Sequence, residues 1–232
     1  MIKAFLFVAS LLTAAVHAAP PQQMSLVYDL YRNGQKLGEV TDTFTRSGDR
    51  YTLTSETRAR GALQILWPGT IRLESTGTVT RQGLRPEKFE HARSDAPHKL
   101  ATARLDWKQH RIAYRYKGES RQVDGLRSGA QDQLSQLYQF MFAPRMAADY
   151  RLQVVSGRDL NEYRYLRKPG ETLETPLGAL ATQQYQRITR KPDEKAITVW
   201  VAPGRANLPI QIRVTEDGVT LEQRLVSANV KG

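Results

Sequence analysis

Alternation of apolar and polar residues with a period of two runs through almost all of this chain, and one stretch breaks it. Residues 128–144, SGAQDQLSQLYQFMFAP, place Leu134, Leu137, Tyr138, Met141 and Phe142 at helical spacing. Asp132, Ser135, Gln136 and Gln139 back that stripe with polar side chains. Phe140 falls off its line, to meet a flank of the sheet or to stand exposed for a partner. Ser128 followed by Gln131 fits a capping box, and Pro144 forbids continuation, so the sequence predicts a helix over about 128–143. A helix this short is marginal alone in water and must dock its stripe. Each of the five side chains contributes roughly 1.5–3 kcal/mol when fully buried. The large apolar surface on offer is the inner face of a sheet built from the flanking segments. The expected fold is therefore mostly β: a single antiparallel meander sheet, strongly curved or an open or closed barrel, wrapped around one α-helix.

The strand pattern begins at Met24. Leu26 to Tyr31 runs into Asn33-Gly34, a strong hairpin signal, and Lys36 to Arg46 returns with Val40, Asp42 and Phe44 on alternate positions. If Val40 and Phe44 point inward, so does Asp42, and a buried carboxylate needs a partner or water. Tyr51 to Arg58 and Ile71 to Val79 continue the alternation. Between them, GALQILWPG (61–69) is either a wide connection plugging one end of the core or an exposed apolar lip. His91 to His98 reads as a polar loop, and Leu105 to Tyr116 as another hairpin. Beyond the helix the pattern restarts at Tyr150. It includes one strand over Glu171 to Thr189, bent at Gly178, and ends with Val219 to Val230. Short turn-like connections argue for a meander rather than βαβ units.

The first eighteen residues, MIKAFLFVASLLTAAVHA, read as a secretory signal: Lys3, an apolar run from Ala4 to Ala15, and small residues at Val16 and Ala18 for cleavage. The expected organisation is a signal peptide over 1–18 and one barrel-like domain over 24–232, delivered to a bacterial periplasm. The chain has no cysteine, which excludes disulfides, thiolate metal ligands and a cysteine nucleophile. Of 34 basic residues 24 are Arg, against 23 acidic ones, and removing Lys3 with the leader lowers the formal charge from +11 to about +10. Codon bias toward Arg accounts for part of this. The balance still draws the protein toward anionic lipid heads or lipopolysaccharide phosphates. No nucleic-acid-binding motif is present.

Four stretches carry a family resemblance: YDLYRNGQKLGEV, SGAQDQLSQLYQFMF, ETLETPLGALATQQYQRI and ITVWVAPGRANLPIQIRVTEDG. On these the chain resembles domain-of-unknown-function family 3108 (DUF3108), exported bacterial envelope proteins. The resemblance implies an all-β, barrel-like envelope domain and carries no catalytic residues. The layout is also similar to periplasmic lipoprotein carriers with half-barrel folds, an analogy of fold alone.

Candidate chemistry is sparse. His91, Asp95, His98 and His110 match no familiar metal-ligand spacing, and no G-x-S-x-G elbow is present. Asp42, Glu56, Glu74 and Asp106 supply carboxylates, but alternation puts Glu56 and Glu74 outside, where they balance Arg58, Arg60 and Arg72 across strands. No catalytic residue, metal or cofactor is assigned. The expected activity is non-enzymatic binding of a lipid or other anionic amphiphile, in outer-membrane biogenesis or maintenance. Leu134, Leu137, Tyr138, Met141, Phe142 and Trp67 would line its site. Arg58, Arg60, Arg72, Arg111, Arg115 and Lys117 would form an anion-contacting surface, with peripheral rather than integral membrane contact. The alternative is an accessory or assembly factor for an outer-membrane protein complex, acting through an exposed sheet edge or the 61–69 lip.

Overall fold

The computed structural model describes residues 21–61, 64, 68–143, 146–191 and 194–232. The signal-peptide stretch and Trp67 lie outside the described residues. Among the described residues nine strands precede the helix, the first eight being β1 (Gln23–Arg32), β2 (Gln35–Ser47), β3 (Arg50–Ala59), β4 (Thr70–Thr80), β5 (Gly83–Arg93), β6 (Ala101–Asp106), β7 (Arg111–Tyr116) and β8 (Glu119–Asp124). A two-residue strand, β9 (Gln131–Asp132), leads into helix α1 (Ser135–Phe142). Then follow β10 (Asp149–Val155), β11 (Leu160–Lys168), β12 (Thr172–Thr175), β13 (Gly178–Ala181), β14 (Gln183–Arg187), β15 (Ala196–Ala202), β16 (Leu208–Glu216) and β17 (Val219–Lys231).

Fifteen of these strands make one sheet, in the order β8-β7-β6-β5-β4-β3-β2-β1-β17-β16-β15-β14-β11-β10-β9. Chain neighbours pair antiparallel almost throughout, as a meander requires, and only β9 joins its neighbour in parallel. The first and last strands, β1 and β17, pair along their length and so join the two halves. The end strands β8 and β9 do not pair with each other, so the sheet is not closed into a barrel. Three hairpins turn on Asn33-Gly34, Lys117-Gly118 and Asp217-Gly218, each with positive φ at both positions. That is the type I′ turn, whose twist matches that of its strands. Gly77 is required for a different reason: a Cβ there would sit 2.2 Å from the Arg85 carbonyl oxygen, beside the β4–β5 register shift.

The segment 171–189 does not form one bent strand. The β12–β13 hairpin pairs only with itself, and the chain rejoins the sheet at β14. Trp200 on β15 ties the hairpin's base down by donating to the Glu171 carboxylate at 2.9 Å.

The helix is shorter than the sequence predicts, beginning at Ser135 rather than near 128. Its cap is not the Ser128–Gln131 pair. Asp132 Oδ1 accepts from the backbone N–H of Leu134 and Ser135 at 2.9 and 2.7 Å, while Ser135 Oγ accepts from the Asp132 N–H at 2.9 Å. This reciprocal box satisfies the donors that a helix start leaves orphaned. The polar residues expected on an outward face are buried instead: Asp132, Ser135 and Gln136 are all enclosed. They are tolerated because each has hydrogen-bond partners.

Two apolar clusters hold the helix. Leu134, Tyr138 and Phe142 enter the larger, with Leu26, Tyr28, Phe44, Phe89 and Ile210 from strands of both halves. Phe140 enters the smaller, and its ring lies 4.5 Å from Tyr185 and 6.1 Å from Tyr150. It therefore meets a flank of the sheet. Gln139 anchors the helix to the β4–β5 turn, accepting from Leu84 N–H at 2.8 Å and donating to the Gln82 carbonyl at 3.0 Å.

Candidate binding site

The helix stripe is mostly spent on the core. Phe142 packs on Phe44 in a tilted arrangement with ring centroids 4.7 Å apart, Leu134 is fully enclosed, and Leu137 is half-buried between the two clusters. Tyr138 donates to Asp42 Oδ2 and lies 3.4 Å from the Tyr28 hydroxyl, which donates to the Pro209 carbonyl at 3.0 Å. Asp42 does point inward; its hydrogen-bond partner is this tyrosine, and Ser55 stands opposite it on β3. Burial pushes its carboxyl up to about 6, against the nearby Ser55 and Tyr138 hydroxyls, which favour ionisation. Burial likewise raises Asp132 to about 6, opposed by the helix-cap N–H groups and the Ser75 hydroxyl. Burial, then the neighbouring Asp42 charge, lifts both Tyr28 and Tyr138 well above a free phenol. These two carboxylates are sealed in the core and anchor α1 to β2 and β4.

Met141 differs from the rest of the stripe. It borders a pocket of about 540 Å³, with Leu177 from the β12–β13 tip, Leu208 at the start of β16, and Ala228 and Val230 near the end of β17. Val230 is 45% exposed, unusual for so large an apolar residue beside a cavity. Arg205, on the short turn before β16, stands at the rim with no ion-pair partner among the described residues. The turn at the hairpin tip is set by Thr175, whose hydroxyl accepts from the Leu177 N–H at 3.0 Å and donates to the Gly178 carbonyl at 2.8 Å. The volume lies in the range of small-molecule sites. An apolar lining with one cation at its mouth suits a ligand with a hydrocarbon body and an anionic head.

Of the described residues predicted to line a ligand site, only Met141 lines this pocket; Leu134, Tyr138 and Phe142 lie in the packed interior. Leu177, Arg205, Leu208, Ala228 and Val230 were not foreseen, because no local pattern links segments so distant along the chain. The predicted basic surface also divides. Arg72 reaches Glu56 and Glu74 at 2.6 and 2.8 Å, Arg58 reaches Glu56 at 2.8 Å, and Arg111 reaches Asp124 at 2.7 Å. Arg60 pairs with Glu39 at 2.8 Å rather than with the β3 and β4 carboxylates. Arg115 has no ionic partner among the described residues, and Lys117 sits in the β7–β8 turn, 5.4 Å from the Tyr116 ring.

The histidines do not converge. His110 Nδ1 bonds the Leu126 carbonyl at 3.0 Å, and Asp95 is engaged by Arg93. Among the described residues no three His, Asp or Glu side chains are grouped to hold a metal ion, and no helix is long and apolar enough to cross a membrane.

A search of curated protein sequences finds no match. Among solved structures, the chain is similar to a β-barrel-like protein of domain-of-unknown-function family 1849 from Brucella abortus. The identity is 11% and the TM-score 0.62, covering 93% of this chain and 100% of that one. A family 1329 protein from Desulfovibrio piger aligns at 12% identity over 90% of this chain and 86% of its own, but with a TM-score of 0.25. The first likeness speaks to the fold alone, and the second is too weak to argue from. The family model described as "Protein of unknown function (DUF3108)" matches residues 27–224, a span from β1 to β17 that takes in both halves of the sheet and the helix between them. The chain belongs to the DUF3108 family.

Proposed function

We propose that this protein is a non-catalytic binding protein of the bacterial periplasm, exported by a cleaved signal peptide, that holds an anionic amphiphile in the pocket beside Met141. The observation that carries the reading is the pairing of an apolar cavity with Arg205 at its rim, a cation with no ion-pair partner among the described residues. Each methylene of a ligand drawn from water into such a lining contributes about 0.8 kcal/mol. A guanidinium held free at the mouth is suited to a carboxylate or phosphate head. In this reading the sheet curls around α1. Tyr138 reaches β1 and β2, Phe140 reaches β10, β11 and β14, and Arg121 of β8 donates to Asp159 beyond β10. Curling brings Leu177, Leu208 and Val230 to one end of the helix, and a role in outer-membrane upkeep follows from the class of ligand.

The alternative, an assembly factor working through an exposed edge, has less to support it. The edge strand β8 reads ESRQVD, a charged sequence that discourages strand addition, and most of the 61–69 lip lies outside the described residues.

Titration with the fluorescent fatty acid cis-parinaric acid tests the proposal. Saturable binding is expected. It should weaken on Ala228→Trp, which fills the pocket, and on Arg205→Glu, which reverses the rim charge. Absence of binding, or equal binding by both variants, would overturn the proposal.

A further inference from the structure

A second concavity, of about 880 Å³, lies over β5, β6, β7 and β8 and shares no lining residue with the Met141 pocket. Strand register sets its floor. Lys88, Arg104, Ala113 and Gln122 stand in one row across the four strands, and Glu90, Thr102, Arg115 and Ser120 in the next. Lys88 therefore faces Arg104 directly, an arrangement of like charges that destabilises a sheet.

Several arginines elsewhere on the sheet are ion-paired, although Arg46, Arg151 and Arg167 also have no ionic partner among the described residues. Arg58, Arg60, Arg72, Arg213 and Arg224 each meet a carboxylate within 2.5 to 2.8 Å. In the groove, four cations (Lys88, Arg104, Arg115 and Lys117) share a face with one carboxylate, Glu90, which Lys88 already holds at 2.8 Å, while Arg121 turns to the other face and pairs with Asp159 at 3.2 Å. Arg104 and Arg115 are exposed and have no ionic partner among the described residues. The small side chains of Thr102, Ala113 and Ser120 leave room between the charged heads.

We infer that this groove binds the phosphate group of an anionic ligand between Arg104 and Arg115, with Lys88 and Lys117 as flanking charges. Arg104 and Arg115 are diagonal neighbours on adjacent strands, which places the two residues roughly 7–8 Å apart and their Cβ atoms somewhat closer. Two guanidinium forks at that spacing offer donors from two directions. One fork satisfies both oxygens of a carboxylate, whereas the oxygens of a phosphate, which lie in more than one plane, engage both forks. Occupation would also relieve the Lys88–Arg104 repulsion. The inference is independent of the Met141 pocket and stands or falls separately.

The test uses inositol hexakisphosphate as a soluble probe and phosphatidic acid vesicles as a membrane-borne one, both at low ionic strength. The paired substitution Arg104→Gln with Arg115→Gln is compared with Arg50→Gln plus Arg93→Gln. The control removes the same charge from arginines bound to Glu87 and Asp95. Roughly tenfold weaker binding in the first double variant and little change in the control is expected, because hydrogen bonds between charged groups are the strong ones. In the unsubstituted protein, added hexakisphosphate should shift backbone amide resonances of residues 88–122 in NMR spectra. Binding of vesicles as well as the soluble probe, lost in the same variant, assigns a lipid headgroup, and binding of the soluble probe alone assigns a free phosphorylated ligand. Equal weakening in both double variants, amide shifts elsewhere in the sheet, or no binding of either probe would overturn the inference.

Discussion

Replacing Asp42 by Asn should change how stability depends on pH. In the folded protein the carboxyl titrates at about 6, against an ordinary value of 3.8. The folded state therefore binds the proton more tightly, and stability rises as pH falls through the interval between those values. Taking 6 and 3.8 as the folded and unfolded values, linkage gives Asp42 a gain of about 1.4 kcal/mol between pH 7.5 and pH 5. Asp132, at about 6 as well, contributes a similar amount of the same sign. His91 works the other way. Burial and then Arg93 lower its pKa, so stability is lost as acid protonates the unfolded chain first. These other terms cancel in the difference between protein and variant. Urea unfolding at pH 5, 6 and 7.5, followed by tryptophan fluorescence, should show the unsubstituted protein gaining about 1.4 kcal/mol on Asp42→Asn as pH falls to 5. The absolute offset is less informative, because the new amide NH₂ occupies the place of an oxygen, Asp42 Oδ1, that has no partner. Parallel profiles would refute the idea that this carboxylate is buried and raised.

Three further outcomes are expected. Phe142→Ala removes a ring packed on Phe44 and should cost about 3–5 kcal/mol in chemical unfolding. Gly83→Ala should lower stability by about 1–3 kcal/mol, since φ is +109° and the new Cβ would meet the Gln139 amide at 2.5 Å. Pairing it with Gln139→Ala should recover the part due to the clash and not the part due to φ. Arg72→Gln should change stability by less than about 1 kcal/mol, because its ion pairs with Glu56 and Glu74 are partly exposed, and a thermal melt in low and high salt checks this.

The meander was legible because period-two alternation and Gly-containing turns are local signals. The helix was legible as an element but not in its limits. Two boxes competed within a few residues, and Asp132–Ser135 prevails because it satisfies the orphan N–H groups inside the core. Period alone also misassigned the polar back of the helix. Gln139 looked solvent-facing until β5 supplied a backbone partner at Leu84, and Gln131, read as part of a cap, donates instead to the Leu84 carbonyl. The inward placement of Asp42 followed from alternation with Val40 and Phe44, whereas its bond to Tyr138, 96 residues away, did not. The Met141 pocket gathers side chains from the helix, a hairpin tip, a turn and the last strand, so no window of sequence contains it. The facing of Lys88 and Arg104 likewise appears only once the β5–β6 register is known.

Photo-crosslinking with a diazirine-bearing fatty acid, followed by peptide mapping, tests the binding account most directly, because it reports where the hydrocarbon sits. Labels on the peptides carrying Met141, Leu177 and Val230, lost in Ala228→Trp, are the expected result. Labels scattered over the sheet exterior and unchanged by that substitution would contradict it.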